Sequence, residues 1–278
     1  MRPYEYAGGT AVLTGAASGI GRALAVDLAS RGSHLALIDR DEEGLRTLVA
    51  RLRPQYPDLK ITTHGFDLSR IDEIPALADD VLREHGGLTL LINNAGVALS
   101  GSFEQLTLDE FEWVMTINFR AVVAVTKAFL PALLATPDSH VVNVSSLFGL
   151  IGPAGQSAYS SSKFAVRGFS EVLRHELAGR GVGVTTVHPG GIRTNIARNA
   201  RLGSGVGAAE AGAGQREFER LLRMDPARAA RVILAGVAHR EPRVLVGSDA
   251  AVLDLLARLL PGSYGRVLAA LQGRVGRS

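Results

Sequence analysis

Short apolar runs alternate with longer segments of helical periodicity along most of the chain. The runs Thr10–Thr14 and His34–Asp39 predict strands, and Gly19–Arg31 between them has apolar residues at helical spacing. Further strands are predicted over residues 60–66, 88–93, 140–145, 182–188 and 243–247. Further helices are predicted around Leu45–Leu52, over Ile71–His85, and over about Leu108–Leu134 and Ser157–Arg180.

This order of elements predicts the fold class. Strands that are apolar on both faces and separated by helices are typical of a parallel sheet covered on both sides. Because crossovers between parallel strands are right-handed, we expect a doubly wound open α/β sheet. A closed eight-stranded barrel is the alternative, but it gives no reason for the glycine pattern of the first turn. No Pro/Gly/Ser linker divides the chain, so we expect one domain over 1–278, with a core at about 8–195 and a loop and helices at about 195–278.

Composition excludes several kinds of chemistry. The chain of 278 residues has no cysteine, which excludes disulfides, thiolate catalysis and cysteine-ligated metals. No run approaches the roughly 18 uninterrupted apolar residues of a membrane span, and no basic and then apolar leader opens the chain, so we expect a cytoplasmic protein.

The positive charge is concentrated in the last third of the chain. From Arg193 onward there are 14 arginines and lysines against 7 acidic residues, and all 14 are arginine. Few aromatic residues are interleaved with them, which argues against a nucleic-acid platform. A GC-rich genome, an anionic substrate or a membrane surface would each account for this pattern.

The first predicted turn is rich in glycine. Gly15, Gly19 and Gly21 stand between the first strand and the first helix. Glycines there allow a tight turn and close approach of the backbone to a pyrophosphate, while the helix N-terminus supplies N–H groups. The position of the trio predicts a dinucleotide site.

The end of the second strand bears on the choice of dinucleotide. Asp39 lies 18 residues beyond Gly21, where a carboxylate can accept hydrogen bonds from both ribose hydroxyls of NAD and repel the 2′-phosphate of NADP. Arg40 follows directly and could bind that phosphate instead. We therefore expect NAD as the preferred cofactor, with NADP possible. Asp39 could alternatively cap the next helix, a role that Asp41 could fill equally well.

Three side chains predict proton transfer at a carbonyl or alcohol. Tyr159 and Lys163 stand four residues apart, so they share one face of a helix, and Ser146 lies thirteen residues before the tyrosine. A tyrosine has a pKa of about 10, and bringing it near 7 requires roughly 4 kcal/mol of stabilisation of the phenolate. The Lys163 ammonium and the positive nicotinamide of an oxidised cofactor could supply it, and Tyr159 would then act as the general acid–base.

Position for position, the chain resembles the short-chain dehydrogenase/reductase family. The matching pieces, in the family's order and spacing, are T-G-A-A-S-G-I-G (14–21), Asp67-Leu68, N-N-A-G (93–96), Asn118, Ser146, Y-S-S-S-K (159–163) and H-P-G-G-I-R-T (188–194). The resemblance covers roughly residues 8 to 195 and implies a Rossmann fold.

The resemblance also implies roles for individual residues. Ser146 would hydrogen-bond the substrate oxygen; it is preferred to the neighbouring Ser145 because it lies thirteen residues before Tyr159. Asn118 would hold a water that links Lys163 to solvent. Lys163 would also bind the nicotinamide ribose, and His188 would be structural. The implied catalytic residues are Asn118, Ser146, Tyr159 and Lys163. The implied cofactor contacts are Gly15, Ser18, Gly19, Ile20, Gly21, Asp39, Arg40, Asp67, Leu68, Asn93, Ala95, Gly96, Tyr159, Lys163, Pro189, Gly190, Ile192 and Thr194.

The resemblance thins after residue 195. The Gly- and Ala-rich segment Arg198–Gln215 is expected to form part of a lid over the substrate. Two short amphipathic helices broken at Pro261-Gly262 are predicted to follow. Their apolar face would consist of Val252, Leu255, Leu256, Leu259 and Leu260, with Arg258, Arg266 and Arg274 outside it. This face could pack on the body or a neighbouring subunit, line the substrate pocket, or contact a membrane surface.

The sequence therefore predicts an oxidoreductase that transfers hydride between a secondary alcohol or ketone and NAD(P), with no metal. An NADPH-dependent reductase that uses Arg40 is the first alternative, a dinucleotide-binding sensor without turnover is the second, and an epimerase or dehydratase is the third. By resemblance we expect a homodimer or homotetramer, paired through Leu108–Leu134 and Ser157–Arg180. The substrate is expected to be a small alcohol or ketone, and the high apolar content of 46% suggests an apolar one.

Overall fold

The computed structural model describes residues 2–196, 199–207 and 222–267. The strands are β1 (Thr10–Thr14), β2 (His34–Asp39), β3 (Ile61–Gly65), β4 (Leu90–Asn93), β5 (Leu99–Ser100), β6 (His140–Val144), β7 (Gly183–Pro189), β8 (Arg201–Leu202) and β9 (Arg243–Val246). The helices are α1 (Gly19–Ser30), α2 (Glu42–Leu52), α3 (Ile74–His85), α4 (Leu108–Met115), α5 (Ala121–Ala135), α6 (Ser157–Glu176), α7 (Pro226–Ala238) and α8 (Ser248–Leu259).

Seven of these strands form one parallel sheet in the order β3-β2-β1-β4-β6-β7-β9. The chain winds outward from β1 to β3 and then returns to place β4 on the other side of β1, so the carboxyl ends of β1 and β4 border a crevice. The predicted doubly wound α/β sheet is confirmed. The main strands and most helices begin and end within a few residues of their predicted bounds.

Helices cover both faces of the sheet, as the two-sided apolar strands require. One core layer joins α1, α2 and α7 to the sheet through side chains such as Leu28, Leu48 and Leu234. The other joins α3, α5 and α6 through side chains such as Leu77 and Phe129. All five residues of β1 are buried, so the residues that face the crevice are those that follow its carboxyl end.

The predicted helix over Leu108–Leu134 contains a turn of π-helix at Thr116–Arg120, between α4 and α5. The stretch Leu108–Ala135 is long and apolar enough to cross a membrane by length and composition, but 44% of its most apolar window is buried inside the fold. On the helices that the resemblance assigns to subunit pairing, Leu108, Phe164 and Val172 are exposed.

Two elements were not predicted from the sequence. Helix α7 begins after Asp225, whose side chain accepts a hydrogen bond from the Ala227 N–H, and Pro226 occupies its first turn. This signal is present in the sequence and was missed. The other element is the two-residue pairing of β5 with β8, which is too short to give a periodic pattern.

Of the alternatives for the C-terminal apolar face, helix α8 contradicts packing of its exposed residues on the body of the protein. Val252, Leu255 and Leu259 are each more than half exposed, while Ala250 and Leu253 pack against Leu147 and its neighbours. The side of the helix that faces the body is therefore the less apolar one. That side also carries Asp254, which pairs with Arg243 of β9 and with Arg258. Of the predicted loop Arg198–Gln215, only residues 199–207 are described, and Arg274 also lies outside the described residues.

Candidate active site

The glycine turn follows β1 and leads into α1. Gly15 has a φ of +67°, a left-handed conformation that glycine adopts without strain, and a Cβ there would lie 2.8 Å from Cα of Ala95. A Cβ on Gly21 would collide with the carbonyl oxygen of Gly15. The side chain of Ser18 makes no capping hydrogen bond at the N-terminus of α1. Backbone N–H groups at this helix end are therefore available to a phosphate, so the turn fits the pyrophosphate of a dinucleotide.

The turn is fixed to the neighbouring strand by side-chain hydrogen bonds. The Asn94 amide donates to the carbonyl oxygens of Thr14 and Gly15, at 3.0 and 3.1 Å. The Thr14 hydroxyl in turn accepts from the backbone N–H groups of Asn94 and Ala95, at 3.0 and 3.1 Å. The carboxyl ends of β1 and β4 are therefore locked together, and this role of Asn94 was missed at the sequence level.

Asp39 ends β2 beside the same turn. Its carboxylate accepts from the N–H groups of Ala17 and Asp41, at 2.9 and 3.0 Å. Asp41, not Asp39, caps α2, since its side chain accepts from the Gly44 N–H at 2.9 Å. Asp39 therefore lies at the crevice with its carboxylate held by backbone, and the exposed Arg40 lies next to it.

The π-turn places Asn118 in the interior. The Asn118 amide oxygen accepts from the Val97 N–H at 2.8 Å, and its nitrogen donates to the Val97 carbonyl and the Ser162 hydroxyl, each at 3.0 Å. The side chain thus satisfies the backbone of the segment after β4 and joins it to α6. π-turns within helices often occur at functional sites.

Ser146, Tyr159 and Lys163 meet at the carboxyl end of β6. The Ser146 hydroxyl lies beside the Tyr159 phenol, where hydrogen bonding to it favours the ionised form of the phenol. The Lys163 ammonium lies 5.7 Å from the centre of the Tyr159 ring and donates to the Val144 carbonyl at 3.1 Å. The Ser145 hydroxyl donates instead to the Lys163 carbonyl at 2.8 Å, so Ser146 is the serine that contacts the tyrosine.

Burial governs the pKa values of the tyrosine and the lysine. Desolvation raises the pKa of Tyr159, and the hydrogen bond with Ser146 only partly offsets this. Burial also lowers the pKa of Lys163 to about 8. The sequence argument expected Lys163 to lower the tyrosine pKa, but in this structure the pKa of Tyr159 is raised, because the loss of hydration outweighs the stabilisation of the phenolate.

One cavity of about 1460 Å³ connects these groups. It is larger than the few hundred to about 1,000 Å³ of a typical single-ligand pocket, so it has room for a dinucleotide and a second molecule. The sequence-predicted residues that line it are Gly15, Ser18, Gly19, Ile20, Asp39, Arg40, Asp67, Leu68, Ala95, Gly96, Ser146, Tyr159, Lys163, Pro189, Gly190, Ile192 and Thr194.

Three of the predicted residues do not line the cavity, namely Gly21, Asn93 and Asn118. Gly21 and Asn118 support the turn and the loop as described above. Asn93 is also interior, because its amide donates to Thr126 and Asn143 between the sheet and α5, at 3.0 and 2.8 Å. The resemblance implies a contact of the cofactor with the backbone at Asn93, and the alternative is that this residue only packs in the sheet; its side chain packs in the sheet.

The part of the cavity around Ser146 contains residues that the sequence did not single out. Leu147, Phe148, Ile151 and Leu253 form an apolar wall near Ser146. From the first turn of α8, the carboxylate of Asp249 accepts from the Gly191 N–H at 2.6 Å and so fixes the turn after β7. No local motif marks Asp249, because its partner lies 58 residues away in the sequence.

His188 belongs to the interior, as a structural residue would. It lies buried in β7, its Nδ1–H donates to the Ser146 carbonyl at 3.0 Å, and burial lowers its pKa to about 4. Among the described residues, no group of three or more His, Asp or Glu side chains is arranged to hold a metal ion.

Comparison with known proteins gives the same family as the motifs. The family model described as short chain dehydrogenase matches residues 9–204. SadH of Mycobacterium tuberculosis, described as an oxidoreductase, is 43% identical over 273 residues, which cover 96% of this chain and 96% of SadH. Dehydrogenase/reductase SDR family member 7B of Xenopus laevis is 36% identical over 255 residues, which cover 90% of this chain and 77% of that protein.

A solved structure supports the cofactor class. A short-chain dehydrogenase/reductase from Burkholderia phymatum, crystallised in complex with NAD, is 30% identical to this chain. It superposes with a TM-score of 0.84 and covers 92% of this chain and 95% of its own. Together with the free N–H groups at the glycine turn, this similarity supports a nicotinamide cofactor for the cavity.

Proposed function

The chain belongs to the short-chain dehydrogenase family of oxidoreductases, and from that premise we propose that it transfers hydride between a secondary alcohol or ketone and a nicotinamide cofactor. The observation that supports this most strongly is the contact of Tyr159 with Ser146 and Lys163 in the same cavity as the glycine turn. A dinucleotide bound along Gly15, Asp39 and Thr194 would supply the hydride acceptor or donor beside the phenol.

The residues of the chain move the proton. In alcohol oxidation, the Ser146 hydroxyl holds the substrate oxygen and Tyr159 accepts its proton as hydride leaves the carbinol carbon. In ketone reduction, the phenol donates that proton to the carbonyl oxygen. Lys163 stands behind Tyr159, where its ammonium favours the phenolate once it forms.

The raised pKa of Tyr159 predicts how the rates of oxidation and reduction change with pH. Because burial raises it, the phenol is protonated at neutral pH and ready to act as an acid in reduction. Oxidation needs the phenolate, so its rate should rise as the pH increases above neutral. The positive ring of an oxidised nicotinamide, when bound, would stabilise the phenolate further.

We propose NAD as the preferred cofactor because the Asp39 carboxylate is fixed where the adenosine ribose of a dinucleotide would lie. In Asp39→Ala, the ratio of kcat/KM with NADP to that with NAD should rise at least about tenfold, since the repulsion of a 2′-phosphate is removed. Asp39→Asn keeps the shape and loses the charge, and it should shift the ratio in the same direction. A ratio that both variants leave unchanged would refute the assignment and favour Arg40 as the determinant.

The central test is Tyr159→Phe with a panel of alcohols and ketones, followed at 340 nm with NAD and NADP. Loss of the acid–base group should lower kcat by at least about a thousandfold while NADH affinity changes little. Tyr56→Phe removes a phenol that does not line the cavity and serves as the matched control. Undiminished turnover by Tyr159→Phe would contradict the mechanism. Binding of NADH without net oxidation or reduction of any substrate by the wild-type protein would favour the sensor or epimerase alternatives.

A further inference from the structure

An arginine and a tryptophan are stacked at the wall of the cavity. The guanidinium carbon of Arg201 lies 3.9 Å from the centre of the Trp113 ring, and both residues line the cavity that contains Ser146 and Tyr159. Neither residue belongs to the motifs of the first two-thirds of the chain or contributes to the proton-transfer group.

Main-chain hydrogen bonds fix Arg201 in this position. The segment after β4 pairs with β8, so the Arg201 N–H donates to the Ala98 carbonyl at 3.0 Å and the Gly203 N–H donates to the Ser100 carbonyl at 2.9 Å. The Ser204 N–H donates to the carboxylate of Glu110 on α4, the helix that also presents Trp113, at 2.9 Å. The stacked pair is therefore tied to the body of the protein from both sides.

The positive charge of Arg201 is not neutralised by the described part of the chain. None of the ion pairs formed within 4.0 Å by the described residues includes Arg201. The nearby carboxylate of Glu110 instead accepts from the N–H groups of Thr107 and Ser204. A guanidinium stacked on an aromatic face keeps its in-plane N–H groups for a ligand, and these match the geometry of a carboxylate or phosphate.

The other charges that line the cavity are placed differently. Asp39, Asp41 and Asp67 lie at the ends of β2 and β3, and Asp249 is bonded to Gly191. Arg223 and Arg228 belong to the segment that pairs with Gly191 and to α7, which packs on α1. Arg40 follows Asp39 at the end of β2, and Lys163 lies on α6 beside Tyr159. Among the described residues that line the cavity, Arg201 is thus the cation on the side of β5 and α4.

We propose that Arg201, held against Trp113, binds the anionic group of a lipophilic substrate, a carboxylate or a phosphate. The hydroxyl or carbonyl of this substrate would lie at Ser146 and Tyr159, and its hydrocarbon part would lie along Leu147, Phe148, Ile151 and Leu253. This inference rests on the proposed function, because it names the class of alcohol or ketone that the same site accepts.

The test measures binding rather than turnover. Decanoate, decyl phosphate and decanol, each below its critical micelle concentration, are titrated into the full-length protein with saturating NADH and followed by calorimetry. The wild-type protein should bind at least one of the two anions about tenfold or more tightly than decanol, as expected for a charge-assisted hydrogen bond. Comparison of the two anions distinguishes a carboxylate from a phosphate. The only tryptophan of the chain is Trp113, so its fluorescence should change on anion binding.

Variants separate the role of Arg201 from the overall positive charge. Arg201→Gln should weaken anion binding about tenfold or more and leave decanol binding unchanged, while Arg201→Lys should retain part of the preference. Arg46→Gln removes an exposed arginine of α2 outside the cavity and should have no effect. Equal affinity for anions and decanol, or a preference that survives in Arg201→Gln, would overturn the proposal.

The two proposals fail in different ways. If the protein oxidises or reduces neutral substrates but shows no Arg201-dependent preference for anions, only the substrate class is wrong. If anions bind through Arg201 but neither neutral nor anionic alcohols and ketones are turned over, the ligand assignment stands and the proposed function is wrong.

Discussion

The two ends of the cavity are held in place by different kinds of contact. At the cofactor end, the glycine turn is fixed by backbone groups and by side chains that follow neighbouring strands, such as Asn94 on Gly15 and Asp39 on Ala17. At the substrate end, the turn after β7 is fixed from outside the sheet, by the Asp249 carboxylate of α8 that accepts from the Gly191 N–H.

This difference sets how each end responds to substitution. Within the glycine turn, main-chain atoms approach one another so closely that a Cβ on Gly15 or Gly21 would collide with the backbone. At the substrate end, a single side-chain hydrogen bond such as that of Asp249 can be removed without disturbing the sheet. We therefore expect the cofactor turn to be intolerant of change, and the substrate wall to be where specificity can vary while the reaction is kept.

The largest effect is expected for Gly21→Ala. The added methyl group would collide with the Gly15 carbonyl oxygen and press on the Asn94 amide, so the turn would have to open. NADH affinity should fall by about a hundredfold or more, measured by fluorescence titration. An alanine variant that binds NADH normally would show that the close approach is not needed.

Gly168→Ala is the matched control for that variant. Gly168 also lies within a helix, α6, but a Cβ there would meet no atom within 4 Å. Alanine is the better helix former, so stability to urea should rise by about 0.5–1 kcal/mol with unchanged NADH affinity.

A smaller effect is expected for Asp249→Ala at the substrate end. Loss of the hydrogen bond to the Gly191 N–H loosens the turn after β7, which lines the cavity. We expect kcat/KM to fall about tenfold, or roughly 1.4 kcal/mol, with NADH affinity changed less than threefold. Asp249→Asn keeps an acceptor oxygen and should stay near the wild type. A loss of NADH affinity as large as that of Gly21→Ala would erase the distinction between the two ends.

The sheet beneath both ends carries a part of the stability that depends on pH rather than on the cavity. Burial lowers the pKa of His188 to about 4 and that of His140 to about 3, whereas both would titrate near 6.5 in the unfolded chain. The neutral histidines therefore contribute full stability above pH 6.5. This stability is lost as the pH falls toward 4, because the unfolded chain then takes up protons that the folded protein does not.

Between pH 7 and pH 5, each of these histidines should account for about 1–2 kcal/mol of the decrease in unfolding free energy. Urea denaturation of His188→Gln at the two pH values should show a decrease smaller by that amount. The comparison uses the difference between the two pH values, so a destabilisation that is equal at both does not affect it. An unchanged decrease would show that His188 is not kept neutral by the fold.

Much of the fold could be predicted from local patterns. The strands of the main sheet are apolar on both faces, and a run such as His34–Asp39 has few other stable environments. Helix α7 was missed although Asp225 and Pro226 signal its start. The π-turn around Asn118 gives no local signal, because the Asn118 amide bonds to the backbone of Val97, which lies 21 residues earlier in the sequence.

The catalytic group and the cofactor turn were predicted because their residues act at fixed spacings along single elements. Tyr159 and Lys163 share one face of α6, and Gly15 and Gly21 share one βα turn. The contact expected at Asn93 was through its backbone and stays a prediction, while its side chain bonds to Thr126 and Asn143 inside the fold, which no local pattern indicates.

The sequence by itself determined the alternation of strands and helices and the family, and it singled out Ser146, Tyr159 and Lys163 as candidates for proton transfer, because these signals lie in local patterns and fixed spacings. Only the tertiary structure decided that burial raises the pKa of Tyr159, that Asp249 fixes the Gly191 turn, and that Arg201 stacks on Trp113. Desolvation and contacts between distant segments arise only when the chain is packed, so no local pattern can encode them.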